Sequence, residues 1–190
     1  MKKVIVFAIL AALLLCGCSR KLPDTPSAAA TVEFTEPQPP KEMIRPEKME
    51  MEILLEGEPE VIPMTLYRNE TYSIYIPDGD WSMTVLESGV TRWTSVYNPD
   101  VKLTIRSIAA SEEVLVRDTI LQEYPGFVMV EDGESEFVAT DVTGQKFLAG
   151  RLIPMDAGFL GVTWTYSLEA AEGFGARLSY IVDTLLLEKK

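Results

Sequence analysis

The stretch Asn98-Pro99-Asp100-Val101-Lys102-Leu103-Thr104-Ile105-Arg106 opens on a turn and then alternates without interruption. Val101, Leu103 and Ile105 fall on one side, and Lys102, Thr104 and Arg106 on the other. A spacing of two is the mark of an extended strand with one buried face. The same period recurs in both directions. Upstream, residues 61–67 and 72–76 flank Arg68-Asn69-Glu70 as one hairpin, and residues 81–86 and 90–97 flank Glu87-Ser88-Gly89 as another. Downstream, strands are expected at residues 127–130, 136–142, 146–153 and 159–168, with turns at Asp132-Gly133 and Thr143-Gly144. Connections this short do not carry a parallel crossover, so the sheet is expected to be antiparallel.

Two helices interrupt the strands. Ser111 is placed to cap the first, with Glu112 and Glu113 in the turn where the helix dipole favours carboxylates. Val116, Ile120 and Tyr124 recur every four residues, and Pro125-Gly126 ends the run. The second helix is expected over residues 169–187, with Phe174, Leu178, Ile181, Val182 and Leu185 as its apolar stripe. Gly173 and Gly175 weaken its start, at on the order of 1 kcal/mol each against alanine, or let it approach the sheet closely. The reading is an α+β domain, a curved antiparallel sheet of about seven to nine strands with two helices packed on it.

The string Tyr72-Ser73-Ile74-Tyr75-Ile76-Pro77 followed by Trp81, then strands, a helix, more strands and a closing helix, resembles the Mog1/PsbP-like families over residues 60–190. Members of those families act mostly as binding or assembly factors. The resemblance implies a binding module and transfers no functional residue.

The N-terminal region has a different character. Lys2 and Lys3 precede an apolar run over residues 4–15, and Gly17 stands directly before Cys18, the order of regions in a secretory signal. The run is too short for a membrane-spanning helix, which takes about 20 residues. Leu15-Cys16-Gly17-Cys18 resembles the bacterial lipobox, which implies cleavage after residue 17 and lipid on Cys18. Cys16 does not fit that role, because Leu15 would occupy the small-residue position. Acyl chains contribute roughly 0.8 kcal/mol per buried methylene, so two on one residue hold firmly. Residues 18–50 carry Pro23, Pro26, Pro37, Pro39, Pro40 and Pro46 among Ser, Thr, Ala and charges, with no apolar period. They read as a disordered tether with a reach on the order of 30 Å. The organisation expected is signal 1–17, tether 18–50 and one domain over 51–190.

Composition narrows the chemistry. Residues 51–190 hold 23 of the 29 acidic but only 10 of the 17 basic residues, a net of −13. Such a surface repels phosphate backbones, so nucleic acid is excluded as a partner. The chain has no histidine, and both cysteines lie in the signal region. Ser-His-Asp and Cys-His nucleophiles are therefore ruled out, as are the usual zinc, copper and haem ligand sets. Gly144-Gln145-Lys146 lacks the upstream glycine of a phosphate loop, Gly173-Phe174-Gly175 lacks a third glycine, and Ser88-Gly89 reads as a turn and not a nucleophile elbow. The acidic turns Asp78-Gly79-Asp80 and Glu131-Asp132-Gly133-Glu134 have calcium-like chemistry but not calcium-loop spacing, and tight turns call for these residues anyway. Asn69-Glu70-Thr71 matches a glycosylation acceptor and reads as a turn.

Three strand aromatics, Trp81, Trp93 and Tyr97, are candidate ligand-binding residues, although aromatics on strands also build cores. Arg92, Lys102 and Arg106 are placed to line one sheet face as an anion patch. No catalytic residue, metal or cofactor is assigned. The expectation is a non-catalytic lipoprotein on the extracytoplasmic side of a bacterial membrane. Its partners would be the bilayer, through lipid on Cys18, and an envelope protein, peptide or wall polymer. The alternative is a carboxylate-dependent hydrolase of envelope glycans, which needs two carboxyls about 5 to 10 Å apart in a cleft.

Overall fold

The computed structural model describes residues 44–188 apart from Glu56, Glu87 and Ser88. The signal region, Cys18 and most of the expected tether lie outside the described residues. The strands are β1 (Lys48–Leu55), β2 (Glu58–Arg68), β3 (Tyr72–Pro77), β4 (Trp81–Val85), β5 (Thr91–Ser95), β6 (Lys102–Ile108), β7 (Phe127–Asp132), β8 (Glu136–Asp141), β9 (Lys146–Met155), β10 (Gly158–Ser167) and β11 (Leu186–Leu187). The helices are α1 (Glu113–Gln122) and α2 (Ala176–Asp183). Every strand pair is antiparallel and both helices are present, so the protein is α+β and mostly sheet.

The strands divide between two sheets, where the sequence suggested one. A four-stranded sheet runs β1-β2-β3-β11, and a seven-stranded sheet runs β4-β5-β6-β10-β9-β8-β7. The main core fills the space between them: Met64, Ile74 and Ile76 face Leu103, Val162 and Trp164, and α2 adds Leu178, Ile181 and Val182. The other face of the larger sheet carries α1, whose Val116 and Ile120 pack on Phe137, Ala139, Leu148 and Leu152. Gly150 lies across the ladder from Phe137, and a Cβ there would overlap the far edge of that ring. The glycine makes the space that the ring occupies.

Both ends of the domain differ from expectation. β1 starts at Lys48, within the segment read as tether, and pairs with β2 from Lys48↔Thr65 to Leu55↔Glu58. Its apolar side is half-buried at Met49 and Met51 and closed at Ile53, while Lys48, Glu50 and Glu52 face solvent. Arg45 also holds to the domain. Its guanidinium donates to Ser73 Oγ at 2.7 Å and to the Thr184 carbonyl at 2.6 Å, and sits 4.5 Å from the centre of the Tyr75 ring. The Tyr75 hydroxyl donates to the Pro46 carbonyl at 2.8 Å.

The expected helix over 169–187 is instead a 3-10 turn (Leu168–Ala170), a π turn (Ala171–Gly175), α2 and then β11, which pairs with β3. Glycine's poor helix propensity accounts for a start that is not α-helical. Close approach does not require Gly175, since a Cβ there would meet Tyr166 at an ordinary 3.5 Å. α1 is shorter than expected, with extended Glu112 at its N-cap in place of Ser111.

Candidate functional site

A recess of about 140 Å³ opens where β4 begins. Trp81 and Tyr97 form one side. They lie far apart in sequence but meet because β4 pairs with β5, Trp81 opposite Ser95, and because the Val96 N–H donates to the Asp80 carbonyl at 2.9 Å. Ile62 of β2 and Pro77 of β3 contribute the floor, with Phe174 of the π turn and Ile181 of α2. Glu60, Asp80 and Arg177 supply the polar groups of its wall. Arg177 Nη2 donates to Glu60 Oε2 at 2.6 Å, while its buried Nε has no acceptor among the described residues. Tyr97 is 74% exposed, a large ring standing in water beside an apolar hollow.

Of the three candidate aromatics, the fold brings Trp81 and Tyr97 together and takes Trp93 away. Trp93 is 3% exposed and meets Tyr67 edge-on at 5.1 Å, so it is a core residue. Phe174, Arg177 and Glu60 line the recess without having been singled out in the sequence. The sequence places Phe174 on the closing helix stripe; the flanking Gly173 and Gly175 are the signal that this stretch is not ordinary helix. π turns concentrate at functional positions.

Most of the remaining candidates are already engaged. Arg92, Lys102 and Arg106 do share a face, but Arg106 is buried and ion-paired with Glu123, and Arg92 Nε donates to Thr104 Oγ1 at 3.3 Å. They do not form an open anion patch. In the second acidic turn Arg117 pairs with Asp132 and donates to the carbonyls of Gly133 and Glu134 at 2.7 and 2.6 Å, so a guanidinium takes the place a cation would need. In the first, Asp78 accepts from Thr65 and pairs with Lys48 at 3.7 Å. Among the described residues, no three His, Cys, Asp or Glu side chains converge on one point. Asn69 Oδ1 accepts from the N–H groups of Thr71 and Tyr72 at 2.8 and 2.9 Å, the internal bonding of a turn.

A second cavity, of about 250 Å³, lies under the far edge of the larger sheet between Trp164, Val138, Ala149, Phe137, Glu131 and Glu136. Glu136 is held by Arg151 Nε at 2.7 Å. Among the described residues, two carboxyls have lowered pKa values. The Thr143 hydroxyl and the Lys146 N–H hold Asp141 below the usual carboxylate range, and the Ser73 hydroxyl with Arg68 does the same for Glu188.

Among the described residues, no helix is long and apolar enough to cross a membrane. No family model and no curated protein matches the chain. Among solved structures it is similar to a crystal structure from Bacteroides thetaiotaomicron VPI-5482, with a TM-score of 0.39 and 14% identity over 63% of this chain. The chain spans 46% of that protein.

Proposed function

We propose that the protein is a lipid-anchored extracytoplasmic component of a bacterial envelope. Its domain would be a non-catalytic binding module that takes a side chain of a protein or peptide partner in the recess between Trp81, Tyr97 and Phe174. The observation that carries the reading is the recess: aromatic rings around an apolar floor, with Glu60, Asp80 and Arg177 on the wall. Exposed aromatics beside a hollow are what binding hot spots use. Size favours binding over catalysis, since pockets for whole small molecules run from roughly 300 Å³ upward. Both hollows, at about 140 and 250 Å³, fall short of that. The anchoring half of the proposal rests on Lys2, Lys3, the apolar run and Gly17-Cys18.

Two substitutions test the halves separately. Cys18→Ser is expected to release the protein from the membrane fraction and abolish labelling by palmitate analogues; a variant that stays membrane-bound removes the anchor. Tyr97→Ala is expected to lose a partner that wild type retains in affinity isolation from intact envelopes, with Val130→Ala as a surface control. Identical partner sets for wild type and Tyr97→Ala would eliminate the recess as the binding site.

A further inference from the structure

The edges of the two sheets are not treated alike. An edge strand presents unpaired N–H and C=O groups to any extended chain, and proteins block them with charge, proline, bulges or shortness. β1 carries the exposed charges Lys48, Glu50 and Glu52. β7 is broken by a register shift between Met129 and Glu131 and ends in Glu131 and Asp132. β11 is two residues long. β4, Trp81-Ser82-Met83-Thr84-Val85, has no charge, no proline and no register shift. From Ser82 onward it is exposed on both faces, with Met83 at 50% and Val85 at 58%.

Its hydrogen-bonding phase is set by its neighbour. The Asp80 carbonyl accepts from Val96, and the Leu86 N–H donates to Val90. Antiparallel pairs alternate, so Ser82 and Thr84 direct their backbone groups at β5, while Trp81, Met83 and Val85 direct theirs off the edge. The open groups therefore belong to the residues that carry the exposed apolar side chains and, at Trp81, a wall of the recess.

We infer that β4 is a docking strand to which an extended, cationic segment of a partner protein adds, its end running into the recess beside Asp80. This rests on the reading of the domain as a binding module and states how the partner is held. Charge selects the occupant. Residues 51–190 carry a net of −13, so a second copy brings like charge to an uncharged strand, whereas a lysine- or arginine-bearing segment is drawn in. Arg92, across the ladder from Thr84, turns its Nε to Thr104, and Arg177 in the recess is paired with Glu60, so neither reverses that balance. Strand addition takes its affinity from main-chain bonds and its specificity from alternate side chains.

The test uses the full-length protein in detergent and a blocked peptide alternating lysine with valine, read by amide hydrogen exchange in nuclear magnetic resonance. The N–H groups of Trp81, Met83 and Val85 are expected to gain protection, with those of Ser82 and Thr84 unchanged. Met83→Pro removes an outward N–H that β5 does not use, which an edge tolerates, and it should weaken peptide binding at least roughly tenfold. Met83→Lys, which leaves the backbone intact, should weaken it as well, and a glutamate-for-lysine peptide should not bind. Absence of protection at millimolar peptide overturns the inference, as does wild-type binding by both Met83 variants. So does self-association without peptide that Met83→Pro abolishes, which makes a second copy the occupant. Protection that survives Tyr97→Ala and is lost in Met83→Pro keeps the strand site and removes the recess. Loss in Tyr97→Ala alone does the reverse.

Discussion

Gly150→Ala puts a single methyl group where the structure has no space. Position 150 faces Phe137 across the β8–β9 ladder, and the added Cβ would overlap Cε1 and Cζ of the ring, with Cδ1 at 3.0 Å. The ring is 1% exposed and belongs to the cluster that includes Val116 and Ile120 of α1, so it cannot swing into solvent. Overpacking of this kind costs about 1–3 kcal/mol. Replacing glycine in a strand recovers about 0.5–1 kcal/mol of unfolded-state entropy, so the net loss should be about 1–2 kcal/mol. Urea unfolding followed by tryptophan fluorescence should show a midpoint lower by roughly 0.5–1 M at a slope of about 2 kcal/mol per M. The double variant Gly150→Ala/Phe137→Leu should be more stable than the two single losses predict, by about 1 kcal/mol. A midpoint within error of wild type, or strictly additive losses, would refute the proposed steric pairing.

Arg45→Ala should cost about 1–3 kcal/mol, because it removes hydrogen bonds to Ser73 and the Thr184 carbonyl and a cation over Tyr75. Arg45→Lys keeps the charge without the fork and should recover only part of the loss; an unchanged urea midpoint for Arg45→Ala would mean that this residue fastens nothing. Burial pushes the Tyr72 hydroxyl from 10 up to about 12, so the unfolded chain gives up that proton first. Its contribution is complete below pH 10 and is lost as pH rises from about 10 to about 12. Tyr72→Phe should flatten that alkaline decline, and a decline parallel to that of wild type would contradict the assignment.

Strand identity was legible because it depends on spacing alone. The alternation in 101–106 and the paired runs around Arg68-Asn69-Glu70 locate β6, β2 and β3 with no knowledge of what covers them. β1 is hidden because the preceding prolines suggest a tether continuing to residue 50, a boundary that cuts its alternation of Met49, Met51 and Ile53 with Lys48, Glu50 and Glu52 in two. The closing helix was overextended because an apolar stripe does not register that Gly173 and Gly175 resist α-helical geometry.

The amino-acid order by itself determined the antiparallel α+β character, the two helices and the lack of any histidine or thiol in residues 19–190, since each follows from local period or from residue types missing there. The tertiary structure alone decided which strand side chains reach solvent. Met83 and Trp93 sit opposite each other on the same face of one ladder, yet one is half exposed and the other is sealed. Period assigns a side chain to a face, but burial depends on how far the opposing layer extends, and the cover over Trp93 stops short of β4. The recess has the same origin: Glu60, Trp81, Tyr97, Phe174 and Arg177 become neighbours only when two sheets and a π turn close around one point.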